Sequence, residues 1–337
     1  MRTYHLSQLL FRPSLRLMAA SLTASILVAA SMLSSIATAQ GSTSTDSSAG
    51  QSVWCGLWSG STFTIPEEGD TCGRVDNTPS TPPATDNGVI PGRYVALGDS
   101  VAAGLGLPAG GYTTASDIQC GRSEQGYPNI VAARFNKQLI NVACSGATAG
   151  DLTTKQSVNG PNIPAQLDRA FAGGTPGLMS ITAGANDVHW SEFIKACYAD
   201  NCTRAAYDNA ASAYRAALRI KLNFALSSIY TRSHGTPPKV VITGYYAALS
   251  DNCAAQQPAI TTAEIAWLNS QTAALNAAIQ NIAGTYSFVR YAPVNFSEHD
   301  ICAAQPWIQT QNDIAPFHPT TVGQQVIADA VIAAARR

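Results

Sequence analysis

Two residues far apart in the 337-residue sequence are the first candidates for chemistry. Ser100 ends the segment Gly98-Asp99-Ser100 after a short apolar run, and His318 lies in Pro316-Phe317-His318-Pro319 ahead of the last amphipathic stretch. A histidine can take the proton of a serine hydroxyl near neutral pH, and the serine oxygen then attacks carbonyl carbons. Taken alone, Ser100 could equally cap the start of a helix.

Two further segments contain hydrogen-bond donors suited to a developing oxyanion. Gly146 follows one apolar run, and a glycine lets the backbone N–H come close to a ligand. Asn186 follows another apolar run within Gly184-Ala185-Asn186-Asp187, and its side-chain amide can donate a hydrogen bond. A nucleophile, a base and several oxyanion donors are the minimum that acyl transfer requires.

Alternating apolar and amphipathic runs must position these groups. Apolar runs predict strands at Tyr94–Leu97, Leu139–Ala143, Leu178–Thr182, Val240–Gly244 and Phe288–Tyr291. Amphipathic runs predict helices at Pro128–Asn136, Ile163–Phe171, Arg204–Tyr230, Thr262–Ile282 and Thr321–Ala335, the last with Thr321 and Gln324 in capping-box spacing. The alternation favours a mostly parallel sheet, which binds ligands at the carboxyl ends of its strands.

The four segments together match one known pattern. The Gly-x-Gly-x-x-Gly loop of dinucleotide sites and the Gly-x-Ser-x-Gly elbow of ordinary α/β-hydrolases are both missing around Ser100. Instead Gly98-Asp99-Ser100, Gly146, Gly184-x-Asn186-Asp187 and His318-Pro319, in that order, resemble the SGNH (GDSL-type) hydrolase family over residues 93–337.

This resemblance implies a three-layer α/β/α, flavodoxin-like fold with a five-stranded, mostly parallel sheet, acting on esters without a metal or cofactor. It implies that Ser100 is the nucleophile and His318 the base. The oxyanion donors would be the Ser100 and Gly146 backbone N–H groups and the Asn186 side chain. Asp99 and Asp187 are interpreted as structural.

The third member of the catalytic set departs from the family pattern. The family usually has an aspartate three positions before the histidine, where this chain has Ala315. Asp313 could replace it only if the loop folds back. A backbone carbonyl of Ala315 or Pro316 could instead hold the imidazole through its Nδ1–H, without a full charge. We expect a Ser-His dyad oriented by the main chain.

Eight cysteines indicate disulfide bonds. The sequence alone does not fix their connectivity, and nearest-neighbour pairing would give Cys55–Cys72, Cys120–Cys144, Cys197–Cys202 and Cys253–Cys302. A zinc site is disfavoured because paired C-x-x-C and H-E-x-x-H motifs are missing. Within the family, the segments around Cys120 and Cys144 resemble secreted actinobacterial lipases and esterases with three sequential disulfides, which implies three of these pairs and leaves Cys55–Cys72 as an extra.

The first 92 residues read as a leader and a linker. Residues 1–39 place three arginines ahead of an apolar run that ends in Ala37-Thr38-Ala39, which predicts a signal peptide and an extracellular protein. A membrane anchor is the alternative, although serines and threonines interrupt the run and no later segment is apolar enough to span a bilayer. Residues 40–92 are rich in Ser, Thr and Pro and could contain a disulfide-closed hairpin around Trp58 and Phe63.

Composition and charge limit the classes of molecule that the protein is expected to bind. The chain is 46% hydrophobic and 12% charged, with a formal charge of −1 and no basic run, which excludes a typical nucleic-acid binder. We expect a monomer that takes a small-molecule or lipid ester. Leu105 and Leu107 could line an acyl groove, which favours lipid or aryl esters over acetylated sugars, whereas Trp54 and Trp58 could stack on sugars. Carbohydrate acetyl esterase, phospholipase and a non-catalytic secreted binding protein are the alternatives.

Overall fold

The chain divides into two compact units, Met1–Asn87 and Gly88–Arg337. The computed structural model describes residues 57–59, 62–64, 90–157, 163–251, 253–257 and 259–337. The predicted signal peptide and the Cys55–Cys72 pair lie outside these residues. In the first unit, strand β1 (Leu57–Ser59) pairs antiparallel with strand β2 (Thr62–Thr64), and Trp58 is opposite Phe63.

The second unit is built on five parallel strands. They are β3 (Tyr94–Gly98), β4 (Leu139–Asn141), β5 (Leu178–Thr182), β6 (Lys239–Thr243) and β7 (Val289–Ala292). Their order, β4-β3-β5-β6-β7, is the flavodoxin-like one, and every neighbouring pair is parallel. The predicted fold is confirmed, with a sheet that is wholly rather than mostly parallel. Strands β3 and β5 are buried along their whole length, which requires cover on both faces.

Helices provide that cover. They are α1 (Ser100–Ala103), α2 (Ala115–Cys120), α3 (Tyr127–Phe135), α4 (Gln166–Phe171), α5 (Trp190–Ala199), α6 (Ala205–Arg232), α7 (Cys253–Gln256), α8 (Thr262–Ala283) and α9 (Thr321–Ala335). Because the strand order reverses at β3, right-handed crossovers place α3 on one face and α6 and α8 on the other. Helix α9 packs on α3, and α6 packs on α8, which gives three layers.

The predicted elements are present with shifted ends. Helix α4 begins at Gln166 rather than Ile163, because Ile163 forms a β-bridge with Gln156. Helices α2, α5 and the single-turn α7 were not predicted. The predicted capping box of α9 is wrong: Thr320 is the N-cap, and its hydroxyl accepts a hydrogen bond from the Gly323 N–H at 3.3 Å.

Three disulfides join parts of the second unit: Cys120–Cys144, Cys197–Cys202 and Cys253–Cys302. They match three of the nearest-neighbour pairs. Asp300 lies beside Cys253 and Cys302, but these two sulfurs are bonded to each other and therefore offer no thiolate to a metal. Among the described residues, no helix is both long and apolar enough to cross a bilayer.

Candidate active site

The turn that presents Ser100 depends on Gly98 at the end of β3. Gly98 has a φ of 129°, and a Cβ there would clash with the Thr182 carbonyl of β5, so no other residue fits this close approach. The buried Gln166 side chain holds Gly98 from the other side. It accepts from the Gly98 N–H at 2.7 Å and donates to the Gly98 carbonyl at 2.9 Å. Ser100 then begins α1.

Asp99 braces the same turn from a fully buried position. One carboxylate oxygen accepts from the Val101 N–H at 2.9 Å, and the other accepts from the Tyr245 hydroxyl at 2.6 Å. Burial raises the pKa of Asp99 to about 7, and these two hydrogen bonds only partly oppose the rise. Both oxygens are thus engaged away from His318, in agreement with the structural interpretation.

His318 lies beside Ser100 in a geometry that fixes its tautomer. Its Nε2 is 2.7 Å from the Ser100 Oγ, and its Nδ1 is 3.1 Å from the Pro316 carbonyl oxygen. A carbonyl only accepts, so Nδ1 carries the proton and Nε2 is left to accept from the serine. Burial lowers the pKa of His318, although contacts with the Pro316 and Ala315 backbone oppose the change. The neutral imidazole is therefore the favoured form at neutral pH.

The three candidates for orienting His318 occupy different places. The Pro316 carbonyl faces the ring. The Ala315 carbonyl accepts the backbone N–H of His318 at 3.2 Å. The Asp313 carboxylate accepts from both the N–H and the hydroxyl of Thr310, at 2.7 and 2.8 Å. The structure thus brings a main-chain carbonyl, and not the Asp313 side chain, to Nδ1.

The His318 loop is fixed by a buried glutamine that sequence reasoning missed. The Gln309 N–H donates to the His318 carbonyl at 2.7 Å, and the Phe317 N–H donates to the Gln309 carbonyl at 2.9 Å. The Gln309 side chain donates to the Leu105 carbonyl at 2.9 Å, just beyond α1. These bonds, with one from the Tyr246 hydroxyl to the Phe317 carbonyl, hold Phe317 at a φ of 67°.

Gln324 clamps the turn after Ser100 in the same way. Its side chain accepts from the Tyr127 N–H at 2.8 Å and donates to the Val101 carbonyl at 3.0 Å. It is fully buried, and this contact explains why it does not complete a capping box. Gln166, Gln309 and Gln324 belong to no recognised motif, so the sequence gives no local signal of such a role.

The two remaining donor segments are tied to each other. The Asn186 amide donates to the Ala147 carbonyl at 2.8 Å, beside Gly146, which has a φ of 78°. Asp187 accepts from the Ala149 N–H at 2.7 Å and from Lys221 at 2.9 Å. Burial raises the pKa of Asp187, and Lys221 opposes this rise. An amide NH₂ has two N–H groups, so Asn186 has a second one to offer a ligand.

The candidate nucleophile, base and oxyanion donors meet at one cavity of about 490 Å³. Ser100, Gly146, Asn186 and His318 line it together. Much of the remaining wall is apolar or aromatic: Val101, Leu105, Trp190, Ile194, Tyr246, Leu275 and Phe317. Leu105 therefore lies where we expected it, whereas Leu107 is not among the lining residues. The arrangement can accept an apolar acyl group and polarise its carbonyl.

Known proteins share these features. A family model described as the GDSL-like lipase/acylhydrolase family matches residues 96–326, which include all four motif segments. Lipase 2 of Streptomyces coelicolor is 28% identical over 281 residues, covering 76% of this chain and 90% of that protein. An extracellular lipase from Streptomyces rimosus, solved by crystallography, is 28% identical with a TM-score of 0.58, covering 72% of this chain and 100% of that one. A phospholipase A1 from Streptomyces albidoflavus is 26% identical with a TM-score of 0.58, covering 72% of this chain and 99% of that one.

Proposed function

Because the chain belongs to the GDSL-like lipase/acylhydrolase family and is a carboxylic ester hydrolase, we propose that it cleaves lipid or aryl esters through an acyl-enzyme on Ser100. The observation that carries this proposal is the 2.7 Å contact between the Ser100 Oγ and the His318 Nε2 at the wall of an apolar cavity. A serine alone is a weak nucleophile, and a neutral imidazole in hydrogen-bond contact is what activates it.

The proposed reaction has two halves. First, His318 takes the Ser100 proton while the Oγ attacks the ester carbonyl, and the negative charge moves to the carbonyl oxygen. The Ser100 and Gly146 N–H groups and the Asn186 amide stabilise that oxygen. His318 then gives its proton to the departing alcohol, which leaves an acyl-serine. Water, deprotonated by His318, attacks this ester, and the acid leaves as Ser100 regains its proton.

The cavity supports an apolar acyl group as the specificity element. Its wall is formed mainly by Leu105, Trp190, Ile194, Leu275 and Phe317, which gain free energy by removing alkyl or aryl surface from water. An acetylated sugar would leave much of this wall unfilled. The lining thus supports lipid and aryl esters over acetyl esters.

A phospholipid ester is the second candidate. Among the described residues that line the cavity, Lys195 is the only Lys or Arg, and its side chain is exposed on α5. An ammonium group at that position would attract the phosphate of a phospholipid headgroup. The related Streptomyces albidoflavus protein is a phospholipase A1.

We also propose that the enzyme acts outside the cell. The leader-like residues 1–39 support this, as do the three disulfides, which persist in oxidising compartments. The Streptomyces rimosus relative is described as extracellular. Detection of mature protein beginning at Gln40 in the culture medium would test both the leader and the location.

The catalytic proposal is tested by changing Ser100 to Ala. Hydrolysis of aryl esters should fall by about 10⁴-fold or more, because the nucleophile is removed from a dyad that acts as a unit. A fluorophosphonate probe should label the wild-type chain on the peptide that contains Ser100. The matched control is Ser191→Ala, which removes an exposed hydroxyl from the same cavity. A folded Ser100→Ala variant with near-normal turnover, or a label on another residue, would contradict the proposal.

A further inference from the structure

Tyr245, two residues beyond β6, joins the two segments that carry Ser100 and Asn186. Its hydroxyl donates to the Asp99 carboxylate at 2.6 Å and accepts from the Ala185 N–H at 3.2 Å. Asp99 directly precedes Ser100, and Ala185 directly precedes Asn186. We propose that Tyr245 is a positioning residue that sets the distance between the nucleophile and the Asn186 oxyanion donor. This inference rests on the proposed function of Ser100 and Asn186.

Tyr245 can act in this way because its own backbone is held rigidly. The Tyr245 N–H donates to the Asn276 side chain at 2.7 Å, and the Asn276 amide donates to the Tyr245 carbonyl at 2.7 Å. Asn276 belongs to α8, a 22-residue helix packed against the sheet. Tyr245 is itself 8% exposed. The position of its hydroxyl is therefore fixed from a helix that contributes no proposed catalytic group.

With the Tyr245 contact, hydrogen bonds connect all three segments that carry Ser100, Gly146 and Asn186 to one another. The Cys144 N–H donates to the Gly98 carbonyl at 2.9 Å, which connects the Gly146 segment to the strand before Ser100. Asn186 connects its own segment to the Gly146 segment through the Ala147 carbonyl. The Tyr245 hydroxyl makes the third connection, between the Asn186 segment and the Ser100 turn. Each proposed oxyanion donor is thus held relative to the other two.

The fall in rate expected when the Tyr245 hydroxyl is removed follows from the narrow range of distances at which oxyanion donors act. Its donors must lie about 2.7–3.1 Å from the oxyanion to be effective. A displacement of about 1 Å at a reacting centre can cost about 100-fold in rate. Substrate binding depends mainly on the apolar wall, so a displaced donor should lower kcat more than it changes KM.

The test is the Tyr245→Phe variant of the full chain, assayed with an aryl ester. We expect kcat to fall by about 10- to 100-fold and KM to change by less than about twofold. The rate of fluorophosphonate labelling should fall with kcat. The matched control is Tyr94→Phe, which also removes a buried hydroxyl, bonded to Ser180 at 2.5 Å. It should lower the melting temperature to a similar extent and leave kcat unchanged.

A second variant covers the case in which Tyr245→Phe does not fold. Asn276→Ala retains the Tyr245 hydroxyl but removes the side chain that holds the Tyr245 backbone. This variant should lower kcat by a smaller factor than Tyr245→Phe does, with KM unchanged. A wild-type kcat in either folded variant would overturn the inference. A fall of kcat in Tyr94→Phe equal to that in Tyr245→Phe would overturn it as well. If Ser100→Ala is inactive, either of these outcomes would contradict only the role of Tyr245 and not the proposed function. An active Ser100→Ala variant would contradict both the proposed function and the role of Tyr245.

Discussion

At the scale of single residues, the partner of the imidazole distinguishes this site. The Pro316 carbonyl faces the His318 Nδ1 at 3.1 Å, where the family usually supplies an aspartate. A carboxylate would stabilise the imidazolium and raise the pKa of the histidine. A carbonyl contributes no full charge, so burial dominates and the pKa lies below its ordinary value of 6.5.

The pH dependence of activity should reflect this difference. A group with a lowered pKa stays neutral to lower pH, so the base remains competent in more acidic solution. We expect the acid limb of the kcat/KM profile to have its midpoint below pH 6.5. The measurement is kcat/KM for an aryl ester from pH 4.5 to about 9.

The control for this profile is Asp313→Asn. Its carboxylate is engaged by Thr310, so the midpoint should not move. A midpoint that shifts in this variant would make Asp313 the orienting residue after all. A wild-type midpoint near 7 would instead implicate Asp99, whose pKa burial raises to about 7.

The sequence identified the site residues that belong to a motif, but not the residues that hold those site residues in position. Ser100, Gly146, Asn186 and His318 stand in recognisable segments, and all four line one cavity. The glutamine clamps and Tyr245 act through contacts between residues up to 223 positions apart, such as Gln324 with Val101. Such contacts depend on the packed fold and leave no local pattern.

At the scale of elements, α5 shapes the cavity. It begins after His189, which has a φ of 54°, and the Cys197–Cys202 disulfide closes its other end. One face of the helix presents Trp190 and Ile194 to the cavity. The Trp190 indole donates to the Thr272 hydroxyl at 3.1 Å and meets Phe317 edge-on, which fixes the ring in place.

Removing this ring should change acyl-chain preference. In Trp190→Ala the cavity gains the volume of an indole, so longer acyl chains should bind better relative to short ones. We expect the ratio of kcat/KM for a long chain to that for a short chain to rise by about 10-fold or more, since one methylene contributes about 1–3 kcal/mol in such pockets. The measurement is a panel of aryl esters of increasing acyl length.

Trp307→Ala is the matched control. Trp307 is also half-buried, but it stacks on His299 with ring centroids 3.7 Å apart and is not among the lining residues. Its loss should leave the ratio unchanged. An unchanged ratio in Trp190→Ala would show that acyl chains do not reach this wall.

The sequence predicted the strands of the sheet and the three longest helices. All five sheet strands and the helices α3, α6, α8 and α9 lie within a few residues of the predicted bounds. Helix α5 was missed although it lines the site and its buried residues Phe193, Ile194 and Cys197 recur at helical spacing. It is only ten residues long, and its N-cap residue His189 makes no side-chain capping bond, so no start signal marks it in the sequence.

At the scale of the whole molecule, one unit holds everything the proposed reaction uses. The five-stranded sheet, the cavity and all proposed catalytic groups lie within Gly88–Arg337. The Streptomyces rimosus lipase is covered completely by 72% of this chain. The match to the family model likewise begins within this unit, at residue 96.

A chain that begins at Gly88 should fold and retain activity. It keeps Ile90, which belongs to the buried core, and all three disulfides of the second unit. We expect its kcat to lie within about twofold of the full chain, because every group that the proposed reaction uses lies within Gly88–Arg337. The comparison uses kcat, KM and melting temperature of the two purified chains. A folded but inactive short chain would assign a role in catalysis to residues 1–87.

The order of the disulfides has a consequence for how the chain matures. In Cys120–Cys144, Cys197–Cys202 and Cys253–Cys302, each first cysteine is bonded to the next cysteine along the sequence. As the chain emerges from one end, the partner of each waiting thiol is thus the first thiol to follow it. Among these six cysteines, oxidation in chain order produces the three native bonds, so their formation needs an oxidant and no exchange of wrongly paired cysteines.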